Sequence, residues 1–119
     1  MNPPPFIFTP GTALAAIGDR TGLDRFEYVI RHGSMKAGLY APQDRDMQGP
    51  HRQDELYAVL SGTGLFEKAG RRAPFGPGDL IFVEAGAEHR FVEFSTDFTC
   101  WALFWGPAGG EPDHQPTGS

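Results

Sequence analysis

The stretch Gly49 to Gly64, GPHRQDELYAVLSGTG, decides how this chain is read. Its segment LYAVL reads as a strand, and on a strand successive side chains point to opposite faces. Continued back to His51, that alternation puts His51, Gln53, Glu55, Tyr57 and Val59 on one face. A His and a Glu followed by Tyr and Val suit neither a plain core face nor a solvent face. The pattern points to binding, and the question becomes which other residues join it.

On either side of that stretch, short apolar runs bounded by Gly, Pro, Asp or Ser fill the chain from Arg25 to Trp105. RFEYVIRH alternates Phe26, Tyr28 and Ile30 with charged residues, and MKAGLYAP sets Met35, Ala37 and Leu39 on one face. ELYAVL, GLFEK, RAPF, DLIFVE, HRFVEF and FTCWALFW complete the set. Around eight short strands at close spacing predict an all-β, single-domain antiparallel β-sandwich or barrel. Thr9-Pro10 is a helix start, Thr as cap and Pro at the first helical position, so a short N-terminal helix precedes the strands. The expected organisation is an arm with that helix over residues 1–24, a barrel over 25–106 and a flexible tail over 107–119. The tail is nearly devoid of apolar residues, and its His114 carries no role.

Composition narrows the function. The chain has 119 residues, enough for one domain with a modest core. A formal net charge of −5 argues against nucleic acid as the main partner, because phosphate binding needs concentrated Lys and Arg. Lys68, Arg71 and Arg72 around Gly70 read as a solvated hairpin tip. No apolar run is long enough to cross a bilayer, and no signal-peptide pattern opens the chain, so a cytoplasmic protein without a membrane partner is expected. The single cysteine, Cys100 in TCWALFW, fits a reducing compartment and an inert buried thiol. Neither GxxxxGK[ST] nor GxSxG occurs.

A second stretch, GPGDLIFVEAGAEHRFVEF from Gly76 to Phe94, supplies partners. His89 opens a strand with Phe91 and Glu93 on its own face. If the two hairpins face each other, His51, Glu55 and His89 converge, the ligand types that iron(II), zinc, manganese, nickel or copper take. Positions i and i+4 on a strand lie about 13 Å apart, so convergence needs a strongly curved sheet.

These two stretches resemble the paired motifs of the cupin superfamily, G-x5-H-x-H-x3,4-E-x6-G and G-x5-P-x-G-x2-H-x3-N. Counting back from Gly62, Glu55 falls on the family's glutamate ligand and His51 on its second histidine. Gly78, Gly86 and His89 fall on their places in the second motif. The resemblance covers roughly residues 25 to 105 and implies a small jelly-roll barrel with its site in the mouth. Gly49 stands where the first histidine belongs, Glu84 replaces the motif proline and Glu93 its terminal Asn. A four-ligand site thus becomes at most a His51-Glu55-His89 site, with Gln53 a candidate amide donor. Gln48 would join only if a bulge near Pro50 shifted its face.

The resemblance therefore implies a small barrel holding a divalent metal (Fe, Zn, Mn or Ni) and a small organic substrate, in dioxygenase or isomerase/lyase chemistry. Glu93 and Tyr57 are the candidate proton carriers, and Gln53 and Phe91 candidate substrate contacts. The alternative is a non-catalytic small-molecule-binding module without metal, in which His51 and Glu55 serve each other. The resemblance also implies a homodimer that covers Phe6, Ile7 and Phe8; a monomer on sedimentation would refute it.

Overall fold

Most apolar runs end at or near a glycine or proline, and Ser95-Thr96-Asp97 separates the last two. The computed structural model describes residues 4–46 and 48–112. Helix α1 (Pro10–Ile17) is followed by one 3-10 turn (Gly22–Asp24). Eight strands come next: β1 (Phe26–His32), β2 (Met35–Tyr40), β3 (Asp54–Ser61), β4 (Gly64–Lys68), β5 (Arg71–Phe75), β6 (Leu80–Val83), β7 (His89–Val92) and β8 (Thr99–Trp105). They form two antiparallel sheets, β1-β2-β8-β3-β6 and β5-β4-β7, the jelly-roll architecture expected from the sequence. As the sequence implied, Thr9 caps α1, its hydroxyl accepting from the Thr12 amide with Pro10 at the first position.

Between the sheets lies the main core, in which Tyr40, Tyr57, Phe66, Phe75, Phe91, Phe98 and Phe104 meet. Strand β8 shows the alternation plainly. Cys100, Ala102 and Phe104 point inward and are buried, while Trp101 packs outward on a second cluster beneath α1 with Ile17 and Leu39. The larger sheet is thereby covered on both faces where α1 lies. Gly62, between β3 and β4, takes φ +85°, and a Cβ there would run into the backbone of Phe98. Close packing of the two sheets at that end requires glycine.

One expectation is corrected here. The strand carrying Glu55 begins at Asp54, so His51 and Gln53 precede it and its alternation does not govern them. The segment after β8 returns to the barrel within the described residues. The Gly106 amide donates to Ser34 Oγ at 3.0 Å, that of Gly109 to the Arg52 carbonyl at 2.7 Å, and that of Glu111 to Asp54 Oδ2 at 2.9 Å. His114 lies outside the described residues. Among the described residues no helix is long and apolar enough to cross a membrane.

Candidate metal centre

Glu55 sits on β3, held between β8 and β6 through its pairings with Phe104 and Val83. Its side chain points between the sheets and is 1% exposed. His89 is the first residue of β7, on the opposite sheet, with a side chain 0% exposed. His51 reaches the same place by another route. Its carbonyl accepts from the Gly86 amide at 2.7 Å, so the β6–β7 turn pulls the chain ahead of β3 inward. The bend replaces the strong sheet curvature that the sequence required. Glu55 Oε1 then lies 3.4 Å from both His51 Nε2 and His89 Nε2. One donor atom from each of the three residues falls within 4.8 Å of the others.

The surrounding bonds orient these groups. His89 Nδ1 is 2.9 Å from the Ala87 carbonyl, which can only accept, so Nδ1 carries the proton. The Nε2 face is thereby turned to the cluster, the arrangement that fixes a metal-binding imidazole. Tyr57, two residues beyond Glu55, places Oη 3.2 Å from His89 Nε2 and 3.0 Å from Gln48 Oε1. Gln48 Oε1 is also 3.1 Å from His51 Nε2. Burial, then the nearby Glu55 carboxylate, hold the Tyr57 hydroxyl well above its ordinary pKa, so it keeps its proton.

Among the described residues three carboxylates are buried, Asp46, Asp54 and Glu55; Asp54 accepts from the Ala85 and Glu111 amides, and the other two are treated in opposite ways. Asp46 accepts from Tyr40 Oη at 2.6 Å, the Gln48 amide N–H at 3.1 Å, Gln48 Nε2 at 3.0 Å and the Phe91 amide at 2.9 Å. Its charge is answered by four donors. Glu55 accepts no hydrogen bond at either oxygen among the described residues. Its imidazole contacts are long and badly directed. A buried carboxylate in that condition calls for a cation. In the free protein a proton on His89 answers in part: burial opposes it, but Glu55, the Ala87 carbonyl and Asp46 outweigh burial and raise the pKa. His51 goes the other way, burial lowering its pKa despite Glu55. A neutral His51, a His89 fixed through Nδ1 and an unpartnered carboxylate form a donor set fit for a borderline divalent metal. The three residues assigned by motif are thus brought together.

The other candidates go elsewhere. Gln53 turns away, donating through Nε2 to the Ser34 carbonyl at 2.8 Å and to that of Gly106 at 2.9 Å, because it lies outside β3. Phe91 is 1% exposed and packs in the core against Tyr57, Phe66 and Phe98, with centroids 4.6–4.8 Å away. Glu93 was expected on the face of His89 and Phe91. β7 ends at Val92, Glu93 takes φ +50°, and its side chain swings out, 69% exposed and 3.7 Å from Arg72. It is not positioned to move protons at the cluster. Cys100 is buried and its thiol pKa is pushed well up by burial, as an inert core cysteine should be. Two residues that matter, Asp46 and Gln48, lie in the irregular run PQDRDMQGP, where no periodicity signals a facing direction. No bulge is needed to turn Gln48 inward, since its segment is not strand.

A cleft of about 330 Å³ lies beside His51 and Gln48, lined also by Phe26, Tyr28, Tyr40, Phe104 and Arg20, and a second of about 200 Å³ is lined by Gln48, Gly49 and His89. The Phe104 ring meets the His51 ring edge-on at 5.0 Å. His51 therefore lines an aromatic cleft of small-molecule size.

Comparisons with known proteins agree with this architecture. An uncharacterized protein of Streptomyces coelicolor is 34% identical over 80 residues, covering 66% of this chain and 76% of that one. A Cupin 2 conserved barrel domain protein from Salinispora arenicola superposes with a TM-score of 0.65 at 18% identity, covering 88% of this chain and 91% of that one. A predicted oxalate decarboxylase from Thermotoga maritima superposes with a TM-score of 0.55 at 20% identity, covering 67% and 77%. At those identities the two structures speak for the fold alone. The family described as Cupin domain matches residues 39–105, the span from β2 to the end of β8 that carries Glu55, His89 and Gly62. With the motifs, the jelly roll and this match in agreement, the chain belongs to the cupin family.

Proposed function

We propose that this cupin binds one divalent transition metal through His51, Glu55 and His89 and acts on a small organic substrate entering by the cleft beside His51. The observation that carries the reading is Glu55, 1% exposed, without a hydrogen bond at either oxygen and 3.4 Å from two imidazoles. Such a metal supplies Lewis-acid polarisation or, for iron, dioxygen chemistry, matching the isomerase/lyase and dioxygenase classes. The chain's own residues do the rest. His89 presents Nε2 because Ala87 holds its other nitrogen. Tyr57, kept protonated, donates to Gln48 Oε1 at 3.0 Å and holds that oxygen beside the cluster. Phe26, Tyr28 and Phe104 exclude water and favour a substrate with an apolar part.

Elemental analysis of untagged protein beside His51→Ala tests this. A metal near one per chain, lost in the variant, is expected. Metal content unchanged by His51→Ala, or no metal after reconstitution, would refute it. The second result favours the alternative of a metal-free binding module. That reading draws on the raised His89 pKa, since an imidazolium could then answer Glu55 alone.

A further inference from the structure

We infer that Gln48 supplies a fourth protein donor, its side-chain amide oxygen, to the cation held by His51, Glu55 and His89, with Asp46 as the positioning residue that aims it. This rests on the metal-binding reading above and deepens it. Gly49, which has no side chain, stands at the motif position of the first histidine. The chain there is not strand, so its neighbour is free to face the cluster.

An amide can present either end, and at Gln48 the choice is made by Asp46. Nε2 donates to Asp46 Oδ2 at 3.0 Å while the Gln48 backbone N–H donates to Oδ1 at 3.1 Å. Reversing the amide would set its oxygen against a carboxylate. Asp46 is itself immobilised, 8% exposed and held by Tyr40 Oη and the Phe91 amide. The amide oxygen is therefore pointed at the cluster, 3.1 Å from His51 Nε2 and 3.0 Å from Tyr57 Oη. It has two lone pairs, so a bond from Tyr57 and a cation can share it.

Independent of Gln48, the unpartnered Glu55 oxygens mark the same point as short of positive charge. His51, Glu55 and His89 meet at that point and Gln48 Oε1 adjoins it beside His51 Nε2, offering two nitrogens and two kinds of oxygen. A neutral amide keeps the charge that a histidine would have brought but is a harder donor. The set consequently leans toward oxygen-accepting ions such as manganese(II) and iron(II), and away from softer copper.

Cobalt(II) titration tests this, because cobalt reports its donors through its d–d absorption bands as well as through affinity. Wild type, Gln48→Leu, Gln48→Glu, Asp46→Asn and His51→Ala are titrated, and circular dichroism of each metal-free protein checks folding. Gln48→Leu is expected to weaken cobalt binding by about 10-fold or more and to shift the bands. Gln48→Glu keeps an oxygen toward the cluster but sets its other oxygen against Asp46, so it is expected to shift the bands with only partial recovery of affinity. Asp46→Asn loses about 10-fold while its bands move toward those of Gln48→Leu. Should Gln48→Leu fail to fold, Gln48→Glu decides, since a carboxylate on the metal must shift the bands. Bands unchanged in the Gln48 variants, even with weaker binding, overturn the inference and leave the three-residue site standing. A wild type that takes up no cobalt sinks the metal reading and this inference with it.

Discussion

Replacing Glu55 with glutamine should make the metal-free protein more stable while weakening its affinity for metal. The carboxylate is 1% exposed and accepts no hydrogen bond, so it carries a desolvation cost that nothing in the free barrel repays in full. An unsatisfied buried group costs about 1–3 kcal/mol, and a charged one more. Glutamine keeps the size, removes the charge and brings two N–H donors to a place rich in acceptors: Gln48 Oε1, His51 Nε2 and His89 Nε2. A gain of about 1–3 kcal/mol is expected, discounted at the lower end for the proton that His89 loses as partner. Over 119 residues, each kcal/mol corresponds to roughly 4 °C in Tm, so the expected rise is about 4–12 °C. The assay is thermal unfolding at pH 8 with a chelator, repeated with added metal. Wild type should gain more Tm from the metal than Glu55→Gln does. A lower Tm for Glu55→Gln in chelator would refute the reasoning, because it would mean that Glu55 is well paired without a metal.

Histidine titration should separate the two imidazoles of the metal-free protein. His89 holds its proton more tightly in the folded chain, so its stabilising share is complete below pH about 6.5 and disappears as pH rises through the raised folded value. His51, whose pKa is lowered, costs stability as pH falls below about 6.5. The Tm difference between wild type and His89→Gln should therefore grow toward acid, and that between wild type and His51→Gln should shrink; parallel curves from pH 5 to 9 would contradict both. At Gly62, alanine would meet the Phe98 backbone in a φ +85° conformation, and Gly62→Ala should cost at least about 2 kcal/mol in urea unfolding. A midpoint within error of wild type would show that the two sheets can separate at that end.

Much of this protein was determined locally. Alternation within a strand depends only on the chain's own pleat, so Glu55, Tyr57 and Val59 could be read from ELYAVL as one face, whereas TCWALFW is apolar on both faces and does not itself say that Cys100, Ala102 and Phe104 point inward. The Gly62-to-Glu55 spacing and the place of His89 at a strand start are likewise counts along one segment. Where the strand ends, that rule lapses. Gln53 lies one residue before β3 and turns to Ser34 and Gly106, and Glu93 lies one residue after β7 and turns to solvent. Extending the alternation past Asp54 and Val92 assigned both to a face that they do not share.

Tertiary structure alone decided the remainder. The direction of His51 is set by the Gly86 amide, and that of Gln48 by Asp46, whose own partner at the Phe91 amide lies 45 residues away. Loop residues have no period to fix their orientation; they point where distant donors and acceptors hold them. For that reason the three motif residues were legible in the sequence, whereas the carboxylate that aims a fourth donor became visible only once the two sheets closed on each other.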